Sequence, residues 1–218
     1  MAAGIAFFDF DKTLTVKDSG ELIALRVGIR GLVHPWAGLR FVGNGLLYKM
    51  GRVSRAAMQE IGYATYRGNA LDVLVRTLDL LWEPCIAPNL SAPVMARLRE
   101  HQDREDAVIV LTASPWYVAQ PAVRALGVDA VIGTQMEEED GRLTGRPVTI
   151  VEGAEKARIA EQVCRQRNIS LEDCWAYTDS IADLELLETV GHPVAVGPDR
   201  ELRELARSRG WEILEHAA

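Results

Sequence analysis

The sequence predicts an α/β protein in which helices cover both faces of a parallel sheet and a module of helices is inserted near the start. Short apolar runs end abruptly at polar loops, and over the second half of the chain these runs alternate with helical spacings. Residues 18–82, in contrast, show helical spacings only. Alternation of this kind is typical of parallel sheets, because a parallel neighbour needs a crossover connection that is usually a helix.

Composition and charge narrow the class of protein. The 218 residues are 48% hydrophobic and 25% charged, which is average for a globular chain with a full core. A net charge of −7 disfavours nucleic acid as a partner. Three cysteines without metal-ligand spacing, no basic leader and no long uncharged apolar window predict a cytoplasmic protein without a membrane span. The oligomeric state has no signal in the sequence.

The first predicted elements divide the chain. Ile5–Phe8 is an unbroken apolar run that stops at Asp9, which predicts a buried strand leading into a polar loop. Residues 18–82 predict about four short helices, and this stretch carries an excess of basic over acidic residues. We therefore expect residues 1–16 and 85–218 to form the α/β core and residues 17–84 to form a separate helical domain.

The remaining elements alternate in type. The spacing predicts helices over 94–104, 115–126, 154–167, 181–187 and 201–207. Apolar runs predict strands over 107–111, 128–132, 174–177 and 194–196. Residues 135–148 predict a hairpin, since Asp140-Gly141 is a dipeptide that favours a tight two-residue turn.

Polar side chains stand where predicted strands end, which is where an open parallel sheet places its ligand. These candidate site residues are Asp9 and Asp11 after the first strand, Thr112, Ala113 and Ser114 after the second, Lys156 at a helix start, and Asp179 and Asp183 after a third strand. Carboxylates gathered in one cleft repel one another, and a hard cation relieves that repulsion. Oxygen ligands alone favour Mg²⁺ over zinc. We expect a magnesium site that draws on Asp9, Asp11, Asp179 and Asp183.

These groups together predict phosphoryl transfer. One carboxylate can act as the nucleophile while a second donates a proton to the leaving group. Lys156 and the Thr112 hydroxyl supply a positive charge and a hydrogen-bond donor for phosphoryl oxygens. The predicted intermediate is an aspartyl-phosphate, and the predicted partner is a small-molecule phosphate ester.

The ordered motifs resemble those of the haloacid-dehalogenase-like phosphatases. FFDFDKT at 7–13 resembles the Asp-x-Asp-x-Thr motif of that family, and VIVLTAS resembles its second strand, which ends in Ser or Thr. TDSIAD resembles its Gly-Asp-Ser string with a further Asp, although Thr178 replaces the glycine. The helical insertion and DGRLTG at 140–145 are similar to the phosphoserine-phosphatase-like subgroup. The resemblance implies a Rossmann-like parallel sheet with an inserted helical-bundle cap.

The resemblance also implies roles. Asp9 would attack phosphorus and bind Mg²⁺, and Asp11 would protonate the leaving alkoxide and then activate water, with its backbone carbonyl on the metal. Thr112 and Lys156 would hold the phosphate, and Ser114 could share the role of Thr112. Asp179 would bind Mg²⁺, and Asp183 would position either metal-bound water or Lys156.

A second alignment of this motif would assign a different nucleophile. Asp11–Thr15 also resembles the DKTGT string of P-type ATPases, in which the first Asp is phosphorylated. That register would make Asp11 the nucleophile. Because the apolar strand stops at Asp9 and Leu14 replaces the glycine, the sequence favours Asp9.

The substrate has several candidates. Asp18 lies where phosphoserine phosphatases place a Glu that contacts the substrate amine, and it could equally cap a helix. No cap arginine matches the one that holds the serine carboxylate, so an amine without a carboxylate, as in histidinol phosphate, is favoured. Phosphoserine and phosphatidylglycerophosphate stay open, as do transfer to an acceptor alcohol and non-catalytic phosphate binding.

Overall fold

The computed structural model describes residues 4–29, 43–45, 47, 50 and 52–217. In this part of the chain the strands are β1 (Ile5–Phe8), β2 (Ala107–Pro115), β3 (Ala130–Glu139), β4 (Arg142–Thr149), β5 (Cys174–Thr178), β6 (His192–Val196) and β7 (Glu212–Leu214). They form one sheet in the order β4-β3-β2-β1-β5-β6-β7. All neighbouring strands pair in parallel except β3 and β4, which are antiparallel.

Helices connect these strands. The α-helices are α1 (Ser19–Ile29), α2 (Arg55–Ala64), α3 (Leu71–Leu81), α4 (Ala92–Asp103), α5 (Trp116–Ala119), α6 (Pro121–Leu126), α7 (Ala154–Arg167), α8 (Leu184–Thr189) and α9 (Arg200–Arg209). Residues 43–45 and 47 are also helical. The predicted α/β class with a parallel sheet and a helical insertion is therefore confirmed.

The central strand β1 is completely buried and contributes to two apolar cores, one on each face of the sheet. Ala6 and Phe8 pack in the core that includes apolar residues of α3 and α4. Ile5 and Phe7 pack in the core that includes residues of α7 and α9. A strand covered on both faces needs apolar side chains at every position, which is why this segment shows no polar alternation.

The strand register brings the candidate site residues together. Phe8, the last residue of β1, is paired with Val110 of β2 and with Tyr177 of β5. The backbone N–H of Asp9 continues this pairing by donating to the Tyr177 carbonyl at 2.9 Å. The structure extends β2 to Pro115, so Thr112, Ala113 and Ser114 lie within its end and do not follow it as predicted. The polar residues after β1 and β5 and those at the end of β2 therefore lie side by side at the carboxyl edge of the sheet.

Three elements differ from the sequence prediction. The predicted helix over 115–126 is divided into α5 and α6, because Pro121 has no N–H to donate to the preceding turn. The predicted strand over 128–132 continues into the hairpin, so that β3 pairs with β2 and then with β4. The edge strand β7 was not predicted, because three residues that begin with a glutamate give no apolar run.

The helical insertion leaves the core and returns to it at one place. Thr15 and Leu90 form an isolated β-bridge that joins the two chain segments on either side of the insertion. At its other end the insertion contacts the β3–β4 hairpin, where the Gly68 N–H donates to the Leu143 carbonyl at 2.7 Å. Part of the predicted helical block falls on residues 30–42 and on other positions up to 51 that lie outside the described residues. Among the residues the structure describes, no helix is long and apolar enough to cross a membrane.

A glycine in β3 sets the position of the carboxyl-terminal end of β2. A Cβ added to Gly133 would lie 2.7 Å from the Ser114 carbonyl oxygen and 2.8 Å from the Trp116 Cα, both backbone atoms that cannot rotate away. We predict that Gly133→Ala lowers the free energy of unfolding by about 1–3 kcal/mol through this overpacking, measured by urea denaturation.

Gly28→Ala is the matched control. Gly28 lies in α1 with no described atom within 4 Å of its Cβ position, and alanine favours a helix over glycine by about 1 kcal/mol. This variant is expected to be at least as stable as the parent protein. A Gly133→Ala protein of parental stability would contradict the prediction.

Candidate active site

Asp9 ends β1 and begins a tight turn over Phe10–Leu14. Its carboxylate Oδ1 accepts a hydrogen bond from the Phe10 N–H at 2.7 Å, and the Thr15 N–H closes the turn on the Phe10 carbonyl at 3.0 Å. Within the turn Lys12 adopts a left-handed conformation with φ 55°. The turn places the carboxylates of Asp9 and Asp11 close to each other at the carboxyl edge of the sheet.

Lys156 is a fully buried cation at the centre of the site. It lies in the first turn of α7, and its Nζ is 3.1 Å from Asp9 Oδ1 and 2.8 Å from Asp183 Oδ2. Burial opposes its charge, but the carboxylates of Asp183 and Asp9 outweigh that cost and raise the pKa of Lys156 above its ordinary value. The ammonium therefore stays charged and holds the two carboxylates together.

Asp183 lies beneath this cation. Its side chain is 1% exposed, and Oδ2 accepts from Lys156 and from the Thr178 hydroxyl, which is 2.7 Å away. Of the two roles expected for Asp183, contact with Lys156 is the one that this placement supports. Thr178, which replaces the glycine common in the family motif, here supplies a hydrogen bond to that carboxylate.

The carboxylates around Asp9 outnumber the ammonium of Lys156, and this excess contributes to a raised pKa of Asp9. Burial raises its pKa to about 7, with Asp183, Asp179 and Asp11 adding to the rise and Lys156 opposing it. Such an excess of negative charge favours binding of a further cation. Oxygen donors of this kind suit Mg²⁺, so the residues present fit that ion.

That the carboxylates of Asp9, Asp11, Asp179 and Asp183 surround one metal ion stays a prediction. Among the described residues, no group of three or more His, Cys, Asp or Glu side chains is arranged to hold a metal ion. The Oδ2 atom of Asp183 already accepts hydrogen bonds from Lys156 and Thr178. The carboxylates of Asp9 and Asp179 and the backbone carbonyl of Asp11 are oxygen donors of the kind that Mg²⁺ prefers.

Asp11 connects the core to the helical insertion. Its Oδ2 accepts from the Ser114 hydroxyl at 2.6 Å, and its Oδ1 accepts from the Ser19 N–H at the start of α1. Burial and the nearby charge of Asp18 raise the pKa of Asp11, against these hydrogen bonds. A raised carboxyl pKa suits a group that must carry a proton at neutral pH.

The carboxyl-terminal part of β2 carries the second group of candidate residues. The Thr112 oxygen accepts from the Ser114 N–H at 3.1 Å, and Thr112 is 1% exposed. The Ala113 carbonyl accepts from the hydroxyls of Thr134 at 2.7 Å and Tyr63 at 3.1 Å. Thr112 and Ser114 thus present hydroxyl groups near Asp11, while the carbonyl of Ala113 is used to hold the segment.

Asp18 and Asp179 are the remaining candidate site residues. Asp18 forms an ion pair with Lys12 at 2.8 Å, and both side chains are about half exposed. Asp179 follows β5, and its carbonyl accepts from the Asp199 N–H at 2.8 Å. The Asp199 carboxylate in turn accepts from the Ile181 N–H at 3.0 Å, so Asp199 fixes the loop that carries Asp179.

Sequence analysis did not identify Ser19, Tyr63 or Asp199. Tyr63 and Gln59 are one helical turn apart on α2, and Gln59 Nε2 donates to Glu152 Oε2 at 2.9 Å. Gln59 and Tyr63 are four residues apart and so share one face of α2. This spacing was the available sequence signal that the face packs against the core. The contacts of Ser19 and Asp199 with the loops use backbone N–H groups, which leave no signature in residue type.

The buried ion pairs predict a large stability effect. Lys156→Met is expected to lower the free energy of unfolding by about 3–5 kcal/mol, because two buried carboxylates lose their counter-charge. Adding Asp183→Asn should recover part of the loss, since it removes one of those charges. Denaturation of the single and double variants measures both effects.

Lys17→Met provides the control, because it removes an exposed lysine of the neighbouring loop. Its expected effect is within about 0.5 kcal/mol of zero. If Lys156→Met were as mild as Lys17→Met, the central role of the buried ammonium would be excluded.

Comparisons with known proteins agree with this geometry. The family model of haloacid dehalogenase-like hydrolases matches residues 6–188. The chain is 32% identical over 218 residues to a phosphoserine phosphatase of Mycobacterium tuberculosis, covering 95% of this chain and 69% of that protein. It is 28% identical over 238 residues to a histidinol-phosphatase of Neisseria meningitidis, covering 96% and 97%.

A solved structure supports the same fold. A protein of unknown function from Bordetella pertussis superposes with a TM-score of 0.82 at 29% identity, covering 98% of this chain and 99% of that one. The matched family residues include both strands that carry Asp9 and Asp179. The chain therefore belongs to the haloacid dehalogenase-like hydrolases, and it is a phosphatase of that family.

Proposed function

We propose that this phosphatase hydrolyses small-molecule phosphate monoesters with Mg²⁺, through an aspartyl-phosphate on Asp9. The observation that carries the proposal is the fully buried Lys156, which contacts Asp9 at 3.1 Å beside an Asp11 that binds Ser114. A nucleophilic carboxylate, a fixed positive charge and a second carboxyl group of raised pKa are the parts this reaction needs.

Asp9 is the better nucleophile of the two register candidates. Phe10 N–H and Lys156 both bind its Oδ1, so we assign the attack on phosphorus to Oδ2. The new Oδ2–P bond forms as the bond from phosphorus to the ester oxygen breaks. Asp11 is instead held by Ser114 and Ser19, an arrangement that suits a fixed proton donor.

Asp11 moves the proton in both halves of the proposed reaction. It first gives its proton to the departing alkoxide, and then, as a carboxylate, it removes a proton from the water that attacks the aspartyl-phosphate. The Thr112 hydroxyl and the ammonium of Lys156 hold the phosphoryl oxygens, while the Ser114 hydroxyl stays on Asp11. When bound, Mg²⁺ would be held by Asp9, Asp179 and the Asp11 carbonyl and would supply positive charge against the anionic substrate.

We propose that residues 17–84 act as the cap that excludes water and selects the substrate. Its contacts with the core support this role, since Tyr63 reaches the Ala113 carbonyl and Gln59 reaches Glu152. The similarity to a histidinol-phosphatase makes histidinol phosphate the first substrate to test, and its amine would have to compete with Lys12 for the carboxylate of Asp18. Phosphoserine is the second, since another relative is a phosphoserine phosphatase.

A panel of phosphate monoesters with Mg²⁺ tests the function. We expect release of inorganic phosphate, with amine-bearing alcohol phosphates among the fastest substrates. Adding an acceptor alcohol separates hydrolysis from transfer, because a transferase would form a new ester in place of free phosphate. Lack of phosphate release from every ester would exclude the proposal.

The Asp11→Asn variant tests both which aspartate is the nucleophile and whether Asp11 is the general acid. Alkyl phosphates need a proton on the leaving oxygen, so their turnover should fall by about 10²–10⁴. The p-nitrophenolate group leaves unaided, so its first release should remain fast, while breakdown of the intermediate becomes slow. Rapid mixing should therefore show a burst of nitrophenol and then slow turnover.

Asp9→Asn is the comparison for that experiment. An amide is a poor nucleophile, so this variant should show neither burst nor turnover with any ester. If the two variants exchanged these behaviours, Asp11 would be the nucleophile and the register proposed here would be wrong.

The metal proposal predicts a change in Mg²⁺ dependence. EDTA should abolish activity and Mg²⁺ should restore it. Asp179→Asn should raise the Mg²⁺ concentration for half-maximal activity by about tenfold or more, since it removes a carboxylate donor. Asp103→Asn, at the exposed end of α4, should leave that concentration unchanged. Equal Mg²⁺ dependence in both variants would remove Asp179 from the proposed donors.

A further inference from the structure

The segment after β7 returns to the turn that carries Asp9 and Asp11. His216 in this segment has its Nε2 3.1 Å from the Lys12 carbonyl oxygen and its Nδ1 2.8 Å from the Ser91 hydroxyl. A carbonyl oxygen can only accept, so Nε2 carries the proton and donates it to Lys12. Nδ1 lies within hydrogen-bond distance of the Ser91 hydroxyl, so the ring contacts the turn and Ser91 at the same time.

Lys12 is a residue whose conformation needs support. Its φ of 55° and ψ of 13° lie in the left-handed region, which is unfavourable for an L-residue. The residue directly follows Asp11 in the turn over Phe10–Leu14, so the conformation of Lys12 is part of the turn that holds the Asp11 backbone in place. A hydrogen bond to its carbonyl opposes a flip of this peptide.

Ser91 also binds the turn over Phe10–Leu14. Its side chain is 1% exposed, and its N–H donates to the Leu14 carbonyl at 2.9 Å while its hydroxyl binds His216. The carbonyls of Lys12 and Leu14 are thus both held by the connected pair of Ser91 and His216. We call this pair the brace on the turn.

The loop after β6 fits closely around the imidazole ring. A Cβ added to Gly197 would lie 2.7 Å from His216 Cδ2 and 2.8 Å from Nε2. Gly197 also has a φ of 44°, and its N–H donates to the Leu214 carbonyl at 2.8 Å. Glycine is required here by both conformation and space, and its loop fixes where the ring lies.

We propose that His216 is a positioning residue for the phosphoryl transfer, acting through the Lys12 carbonyl on the spacing of Asp9 and Asp11. Its kinetic consequence rests on the function proposed above. Misplacement of reacting groups by about 1 Å can cost on the order of 10² in rate, so one lost hydrogen bond on this turn would be visible in turnover.

Steady-state kinetics give the first test. His216→Ala should lower kcat by about tenfold or more with little change in KM, because phosphate-binding groups stay in place while the turn relaxes. His216→Gln keeps an N–H donor and should recover most of the rate. Imidazole added to His216→Ala should raise kcat, which no loss of general packing would produce. A His216→Ala kcat within twofold of the parent would overturn the proposal.

Glu215→Ala is the matched control in the same segment. Glu215 is exposed and forms an ion pair with Arg203. Its removal alters the segment without touching the turn, so kcat should stay within twofold of the parent. A loss in Glu215→Ala equal to that in His216→Ala would assign the effect to the segment as a whole and overturn the proposal.

Amide hydrogen exchange tests the brace without any activity. In His216→Ala the amides of residues 10–15 should exchange at least tenfold faster, while those of β1 and β5 stay protected and His216→Gln resembles the parent. Unchanged exchange in 10–15, or an equal increase in the strands, would overturn the proposal. If the parent protein hydrolyses no ester, the proposed function fails, and exchange still decides the role of His216.

Discussion

The ion pairs of Lys156 with Asp9 and Asp183 are the interaction on which the site depends. An ammonium with no exposed surface is stable only when its counter-charges are held in place, since desolvation otherwise exceeds the attraction. Asp9 comes from the end of β1, Asp183 from the loop after β5, and Lys156 from the first turn of α7. Adjacent pairing of β1 and β5 is therefore a condition of the charge balance as well as of the fold.

One cation among several carboxylates leaves this end of the sheet negative. Burial is the largest cause that raises the pKa of Asp9 to about 7, and the neighbouring carboxylates raise it further. A phosphate ester adds further negative charge, so its approach is opposed until positive charge is supplied. This constraint connects the proposed Mg²⁺ to the proposed chemistry, because the same charge that permits Asp9 to ionise also permits the dianion to bind.

The helical insertion contacts the loops that carry the site as well as the β3–β4 hairpin. Ser19 donates to Asp11, Tyr63 donates to the Ala113 carbonyl beside Ser114, and Gln59 binds Glu152 shortly before Lys156. In the proposed function, a movement of α1 or α2 would change the hydrogen bonds of Asp11, the proposed acid, and of the segment proposed to bind phosphate. Substrate selection and the positioning of the catalytic groups would then be coupled through these hydrogen bonds.

The sequence by itself determined the class of fold, the strand before Asp9, the hairpin turn at Asp140-Gly141 and the helix that begins just before Lys156. These features are local, because burial on both faces, turn conformation and helical spacing each leave a pattern within a few residues. The motif order also located the carboxylates. Only the tertiary structure decided which partners they have.

Asp183 was one of four candidate metal ligands in the sequence, and the structure places it under Lys156 with Thr178. The contact between His216 and Lys12 joins residues 204 positions apart, and the contact between Asp11 and Ser114 joins residues 103 apart. Hydrogen bonds across such separations impose no periodicity on either segment, and several use backbone groups that every residue type shares. That is why the chain alone could name the chemical groups, while their arrangement had to come from the folded structure.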